Sequence, residues 1–125
     1  MRARLTAAIT ARWTPQQEDF DRFAALSGDD NPIHVDPEFS ARTGFGRTVA
    51  HGMLIYSRVW ALIAAARPGA RHVGQTLMFP APAYAGEELQ LHIEPQSDGT
   101  YSIRVARVGD GADVLTGVCT VEGPR

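Results

Sequence analysis

The sequence predicts an α+β fold: a single domain over residues 1–125 in which an antiparallel sheet wraps one long central helix. Three observations predict it. The longest apolar stretch, His51–Ala66, carries Met53, Leu54, Ile55, Val59, Trp60, Leu62 and Ile63 on more than one side, as a helix buried against a sheet does. The remainder alternates apolar and polar residues in short runs. Two glycine turns, Ser97-Asp98-Gly99 and Gly109-Asp110-Gly111, join the last three runs as hairpins, which makes them antiparallel.

The elements follow in order. Leu5–Trp13 alternates loosely and reads as a strand. Thr14-Pro15-Gln16-Gln17 reads as a helix start, with Thr14 as N-cap, Pro15 as first helical residue and Gln17 as reciprocal capping partner. That helix places Phe20, Phe23, Ala24 and Leu26 on one face and stops at Ser27-Gly28. Ser27 to His34 is a loop, because Gly28, Asn31 and Pro32 interrupt helix and strand patterns alike. Pro37–Thr43 is a short helix halted by Gly44, and the central helix ends at Pro68-Gly69. Val73–Phe79, Glu87–Glu94, Tyr101–Val108 and Val114–Val121 are the remaining strands, four or five in all with the first.

Composition excludes several function classes. Apolar residues make up 44% of the chain, which suits a globular core. Lys plus Arg is 12 against 14 for Asp plus Glu, a net charge of −2, so no basic field recommends a nucleic-acid partner. Arg42, Arg47, Arg58, Arg67 and Arg71 are scattered and read as solvated surface. The single cysteine, Cys119, allows no internal disulfide and no thiolate metal site, and sits as a small residue in an apolar alternation. The N-terminal apolar stretch is too short for a secretory signal and no run approaches a membrane span, so a cytoplasmic protein with no membrane partner is expected.

The loop Ser27-Gly28-Asp29-Asp30-Asn31-Pro32-Ile33-His34 concentrates a carboxylate, a carboxamide and an imidazole. Turn chemistry alone accounts for such residues: Asp29 can cap a helix, and Asn31-Pro32 is an ordinary turn pair. If the backbone turns so that Asp29 and His34 converge, the pair can take a proton from water and give one to carbon. That is the chemistry of adding or removing water across a double bond. His51, just before the central helix, reads as a cap or a ligand contact, with the structural role favoured because helix starts collect polar residues. His72 and His92 lie in strands and read as surface residues, and four histidines without paired spacing do not make a metal site. Tyr56, Ser57 and Trp60 read as core or pocket wall. No Gly-x-Ser-x-Gly elbow is present, which argues against a serine hydrolase.

From Phe23 to His34 the chain reads Phe-Ala-Ala-Leu-Ser-Gly-Asp-Asp-Asn-Pro-Ile-His, with Ser40 after five further residues. This resembles the hydratase 2 signature of the MaoC-like (R)-specific enoyl-CoA hydratases, which have a hotdog fold. His51-Gly52-Met53-Leu54 is also similar to that family, as more weakly is the stretch Phe79-Pro80-Ala81-Pro82-Ala83-Tyr84-Ala85-Gly86-Glu87. The resemblance implies that Asp29 and His34 are the catalytic pair, Asp29 as general base for water and His34 holding that water and supplying a proton to carbon 2. It implies that the Gly52 N–H, at the positive end of the long helix, faces the thioester carbonyl, with glycine letting the ligand approach closely. It implies that Asn31 helps order the water and the loop. Asp30 occupies a variable position and is expected to face solvent.

The activity so implied is reversible syn hydration of a trans-2-enoyl thioester of coenzyme A or acyl carrier protein, with no separate cofactor and no metal, by a homodimer. Two alternatives stand beside it. A hotdog thioesterase usually carries its carboxylate on the central helix, and Met53–Ala66 contains no Asp or Glu. A non-catalytic acyl-thioester binding module needs no Asp29/Asn31/His34 set.

Overall fold

The computed structural model describes residues 7–123. Its elements are β1 (Ile9–Trp13), α1 (Gln17–Ser27), α2 (Pro32–Val35), α3 (Pro37–Ala41), α4 (Gly52–Ala66), β2 (Arg71–Met78), β3 (Leu89–Pro95), β4 (Thr100–Arg107) and β5 (Asp113–Glu122). The strands form one five-stranded sheet in the order β1-β3-β4-β5-β2, antiparallel throughout. The part of the expected first strand before residue 7 lies outside the described residues.

The sheet curls around α4. Ile55, Tyr56, Val59 and Ile63 form the buried stripe of the helix and meet Leu89, Leu91 and Ile93 of β3, Ile103 and Val105 of β4, and Leu115 and Cys119 of β5. Leu89, Leu91 and Ile93 are buried while Gln90 and Glu94 are exposed, the period-two alternation of a one-sided strand. Fully burying an aliphatic side chain of this size contributes about 1.5–3 kcal/mol. The arrangement is the hotdog fold. The covering is less complete than the apolar stretch predicts: Ser57, Arg58 and Ala61 face solvent, so α4 is buried on one side and open on the other. The two hairpins form as expected, with Gly99 (φ 88°) and Gly111 (φ 75°) in the left-handed conformation that their turns require.

Four local readings are corrected. The N-cap of α1 is Gln16, not Thr14, and Pro15 precedes the helix; the Asp19 carboxylate accepts the Gln16 N–H at 2.8 Å and so provides the reciprocal cap. Gln17, freed from capping, spans to its neighbours instead. Its amide donates to the His34 carbonyl (2.9 Å), and its side-chain oxygen accepts from Thr48 (2.6 Å). Leu26 is 84% exposed, because the buried face of α1 is set by Phe20 and Ala24, and position 26 falls on the far side.

Arg67 is also not a solvated surface residue. It is buried at the end of α4, donating to the Tyr101 hydroxyl (2.8 Å) and the Gly123 carbonyl (3.3 Å). His72 is half-buried. Its Nε2 forms a hydrogen-bonded pair with the Tyr56 hydroxyl at 2.7 Å, and Trp60 packs edge-on against its ring. Among the described residues no helix is long and apolar enough to cross a membrane.

Candidate active site

The segment read as a loop contains a one-turn helix, α2, and this turn is what makes Asp29 and His34 converge. Gly28 ends α1 with φ 81°, donating its N–H to the Ala24 carbonyl. The chain then reverses, Asn31 caps α2 by accepting the Ile33 N–H at 3.1 Å, and Pro32 takes the first helical position. His34 lies in the last turn and its ring swings under Asp29.

The turn is held from several sides. His34 Nδ1 lies 2.8 Å from the Val49 carbonyl, and the Val49 N–H donates to the Ile33 carbonyl at 2.9 Å. The buried Ser40 hydroxyl donates to the Ile33 carbonyl (3.2 Å), which gives the serine of the signature a structural task. Ala50 N–H donates to the Ala83 carbonyl at 2.9 Å, tying the entry of α4 to the Phe79–Glu87 stretch.

His34 Nε2 and Asp29 Oδ2 are 3.8 Å apart; the imidazole is largely buried, while the carboxylate is more than half exposed. A carbonyl only accepts, so Nδ1 carries the hydrogen of the Val49 bond, and in the neutral form of the ring Nε2 presents a lone pair. Two acceptors thus face each other beyond direct hydrogen-bond distance, a geometry that suits one water donating to both.

A cavity of about 600 Å³ opens beside this pair. Asp29, His34, His51 and Gly52 supply its reactive wall, and apolar side chains including Ile55, Ala83 and Val114 line the rest. Gly52 is the first residue of α4, where the N–H has no acceptor within the helix. A Cβ there would lie 2.6 Å from Phe79 Cε1, so the close approach demanding glycine in this structure is that of the Phe79 ring. Asn31 is not among the lining residues; its carboxamide is engaged in capping α2. Asp30 is exposed.

His51 is the residue that sequence reasoning set aside. It is the N-cap of α4 but makes no side-chain cap. Its ring stacks on His34 at 3.8 Å between centroids, and its Nε2 lies 2.8 Å from the Asp29 carbonyl. Burial holds its pKa below the usual histidine value, opposed by the bond to the Asp29 carbonyl and assisted by neighbouring His34. One ligand-type atom from each of Asp29, His34 and His51 lies within 4.8 Å of the others. The rings are nearly parallel, tilted by 22°, so their in-plane lone pairs run side by side and cannot both meet one ion at about 2 Å.

Comparison with known proteins identifies the family. The sequence matches the family described as MaoC like domain over residues 1–115. It is 37% identical over 110 residues to an (R)-specific enoyl-CoA hydratase of Aeromonas caviae, covering 82% of this chain and 81% of that protein. It is 43% identical over 72 residues to a mitochondrial 3-hydroxyacyl-[acyl-carrier-protein] dehydratase of Arabidopsis thaliana, covering 58% of this chain and 43% of that protein. The fold superposes on the solved structure of an (R)-hydratase from A. caviae involved in PHA biosynthesis with a TM-score of 0.87 at 32% identity, covering 98% of each chain. With the signature, the fold and the family match all in agreement, this chain belongs to the MaoC-like domain family.

Proposed function

We propose that this chain is a hydro-lyase acting as an (R)-specific enoyl thioester hydratase and, in reverse, a 3-hydroxyacyl thioester dehydratase. The observation that carries the reading is the facing pair of acceptors, Asp29 Oδ2 and His34 Nε2, on the wall of an apolar cavity beside the first turn of α4. A trans-2-enoyl group lies in the cavity, and one water is held between the two side chains. Asp29 serves as base as the water oxygen bonds to carbon 3. His34 holds the same water; the proton that Asp29 takes passes to the free lone pair of His34 Nε2, which delivers it to carbon 2. One proton leaves water and one reaches carbon, so the pair ends as it began. Both events occur on one face, which gives syn addition. The negative charge that develops on the thioester oxygen is stabilised by the Gly52 N–H at the positive end of α4.

The carrier is coenzyme A or an acyl carrier protein, and the chemistry asks for no cofactor or metal beyond it. A homodimer in the cytoplasm completes the reading; the one thiol, Cys119, is free and buried, which suits a reducing compartment. The test is loss of the conjugated enoyl absorbance when crotonyl-coenzyme A, and a longer enoyl-coenzyme A, are mixed with the protein, with the product resolved by chirality. Conversion to the (R)-3-hydroxyacyl thioester is expected. Release of free thiol would move the assignment to a thioesterase, and unchanged substrate across the panel would move it to a binding module.

A further inference from the structure

His51 has a geometry that neither a helix cap nor a pocket wall requires. It is 2% exposed and sits between two rings, His34 at 3.8 Å and Phe23 of α1 at 4.8 Å between centroids. Its Nε2 faces the Asp29 carbonyl, which can only accept, so Nε2 carries the hydrogen and Nδ1 carries a lone pair. That Nδ1 is buried and has no hydrogen-bond partner among the described residues. A protonated His51 would place a charge and an unsatisfied N–H in that position, against the ring of His34.

We infer that His51 is a positioning residue: a neutral, Nε2-protonated ring that holds the Asp29 main chain by its carbonyl and supports the face of His34, so setting the separation of the reacting pair. The physical case is one of reach. Asp29 follows the glycine that ends α1 and its side chain is more than half exposed, so little packing holds the carboxylate. The peptide bearing it is fixed by the Asp29 N–H, which donates to the Ser27 hydroxyl (3.1 Å), and by the Asp29 carbonyl, which accepts from His51. His51 belongs to the entry of the helix that carries Gly52. One residue therefore links the loop bearing the base, the ring of its partner and the donor facing the carbonyl. The charged and titratable groups facing it are His34 and Asp29; Phe23, on its other side, does not titrate.

The inference rests on the hydratase reading for its kinetic arm but not for its spectroscopic one. Histidine ¹⁵N NMR of the wild-type protein should show His51 neutral with the hydrogen on Nε2 at pH 7; a ring protonated at that pH, or carrying its hydrogen on Nδ1, overturns the inference whatever the activity. In hydration assays, His51→Phe keeps a stacking ring and loses the donor, and kcat should fall about tenfold to a hundredfold with KM changed by less than about twofold. His51→Gln restores an N–H donor and should recover part of that loss. A folded His51→Phe protein within about twofold of wild-type kcat, or a His51→Gln protein no better than His51→Phe, refutes the positioning role. If His51→Phe does not fold, the same comparison is made between His51→Gln and His51→Ala.

Stability gives a third readout. The folded-state pKa of His51 is lowered, so below the ordinary value of about 6.5 the unfolded chain binds a proton that the folded chain refuses, and stability falls with falling pH. The Tm advantage of wild type over His51→Gln should therefore shrink between pH 7.5 and 5.5. A gap that stays constant or widens contradicts a buried neutral ring.

Discussion

At the scale of single residues, the site depends on two side chains that do not touch. At 3.8 Å the Asp29–His34 separation is too long for a direct hydrogen bond and short enough for a shared water, so the proposed mechanism needs both groups. Asp29→Asn keeps the size and one acceptor but cannot take a proton, and His34→Ala removes the proton carrier. Each should lower hydration roughly 10²-fold or more, read as kcat with crotonyl-coenzyme A, with the Tm of Asp29→Asn close to wild type because the carboxylate is exposed. A folded Asp29→Asn enzyme with normal turnover removes the assignment. This pair was legible in the sequence because it is local: five positions apart, with glycine, asparagine and proline supplying the reversal. His51 was not. Its significance comes from a ring stacking across 17 positions and from a bond to a main-chain carbonyl, neither of which residue type or spacing encodes. Arg67 was misplaced for the same reason, since its burial is decided by the distant Tyr101 and Gly123.

At the scale of elements, hydrophobic periodicity and turn chemistry identified α1, α3, α4 and every strand from β2 to β5 to within a few residues, and missed α2. A helix of four residues has no periodicity to read, and Pro-Ile-His-Val looks like turn sequence. Its stability comes from outside itself: the Asn31 cap, the Gln17 amide on the His34 carbonyl, and the Ser40 hydroxyl on the Ile33 carbonyl. The asparagine of the signature thus has a local structural task, the capping of α2. Replacing it tests that task. Asn31→Ala should cost about 1 kcal/mol of stability, the usual value of a lost N-cap, measured by denaturant unfolding. It should lower kcat by less than either dyad substitution, because His34 retains its bond to Val49. A loss as deep as that of His34→Ala, with unchanged stability, would instead place Asn31 in the reaction.

At the scale of the whole molecule, the sheet has two open edges of different character. β1 is short, carries Arg12, and is held by the Arg12–Glu88 ion pair. β2 pairs with β5 on one side only; its bulge between His72 and Gly74 disturbs one end, but Gln75–Met78 offers neither charge nor proline. Long uncharged edges of this kind invite pairing with another strand. Exposed apolar side chains gather there: Val73 and Met78 on β2, Val118 on the adjacent β5, and Phe79 immediately beyond. A second copy joined antiparallel along β2 about a twofold axis would cover the β2 edge of each copy at once and extend the sheet through the interface. It would also bring the partner up to Phe79, the ring that covers Gly52 at the cavity wall. If β2 is the joining edge, assembly and activity should fail together. The wild-type protein is expected to have the mass of a dimer by light scattering at micromolar concentration. The double substitution Val73→Lys and Met78→Lys puts charge on the edge and should yield a folded monomer, with its Tm no longer rising with protein concentration and its turnover reduced. A monomeric wild type, or a double variant that remains dimeric, excludes β2 as the joining edge; a monomeric variant with full turnover separates the cavity from assembly and leaves Phe79 to be held by its own chain.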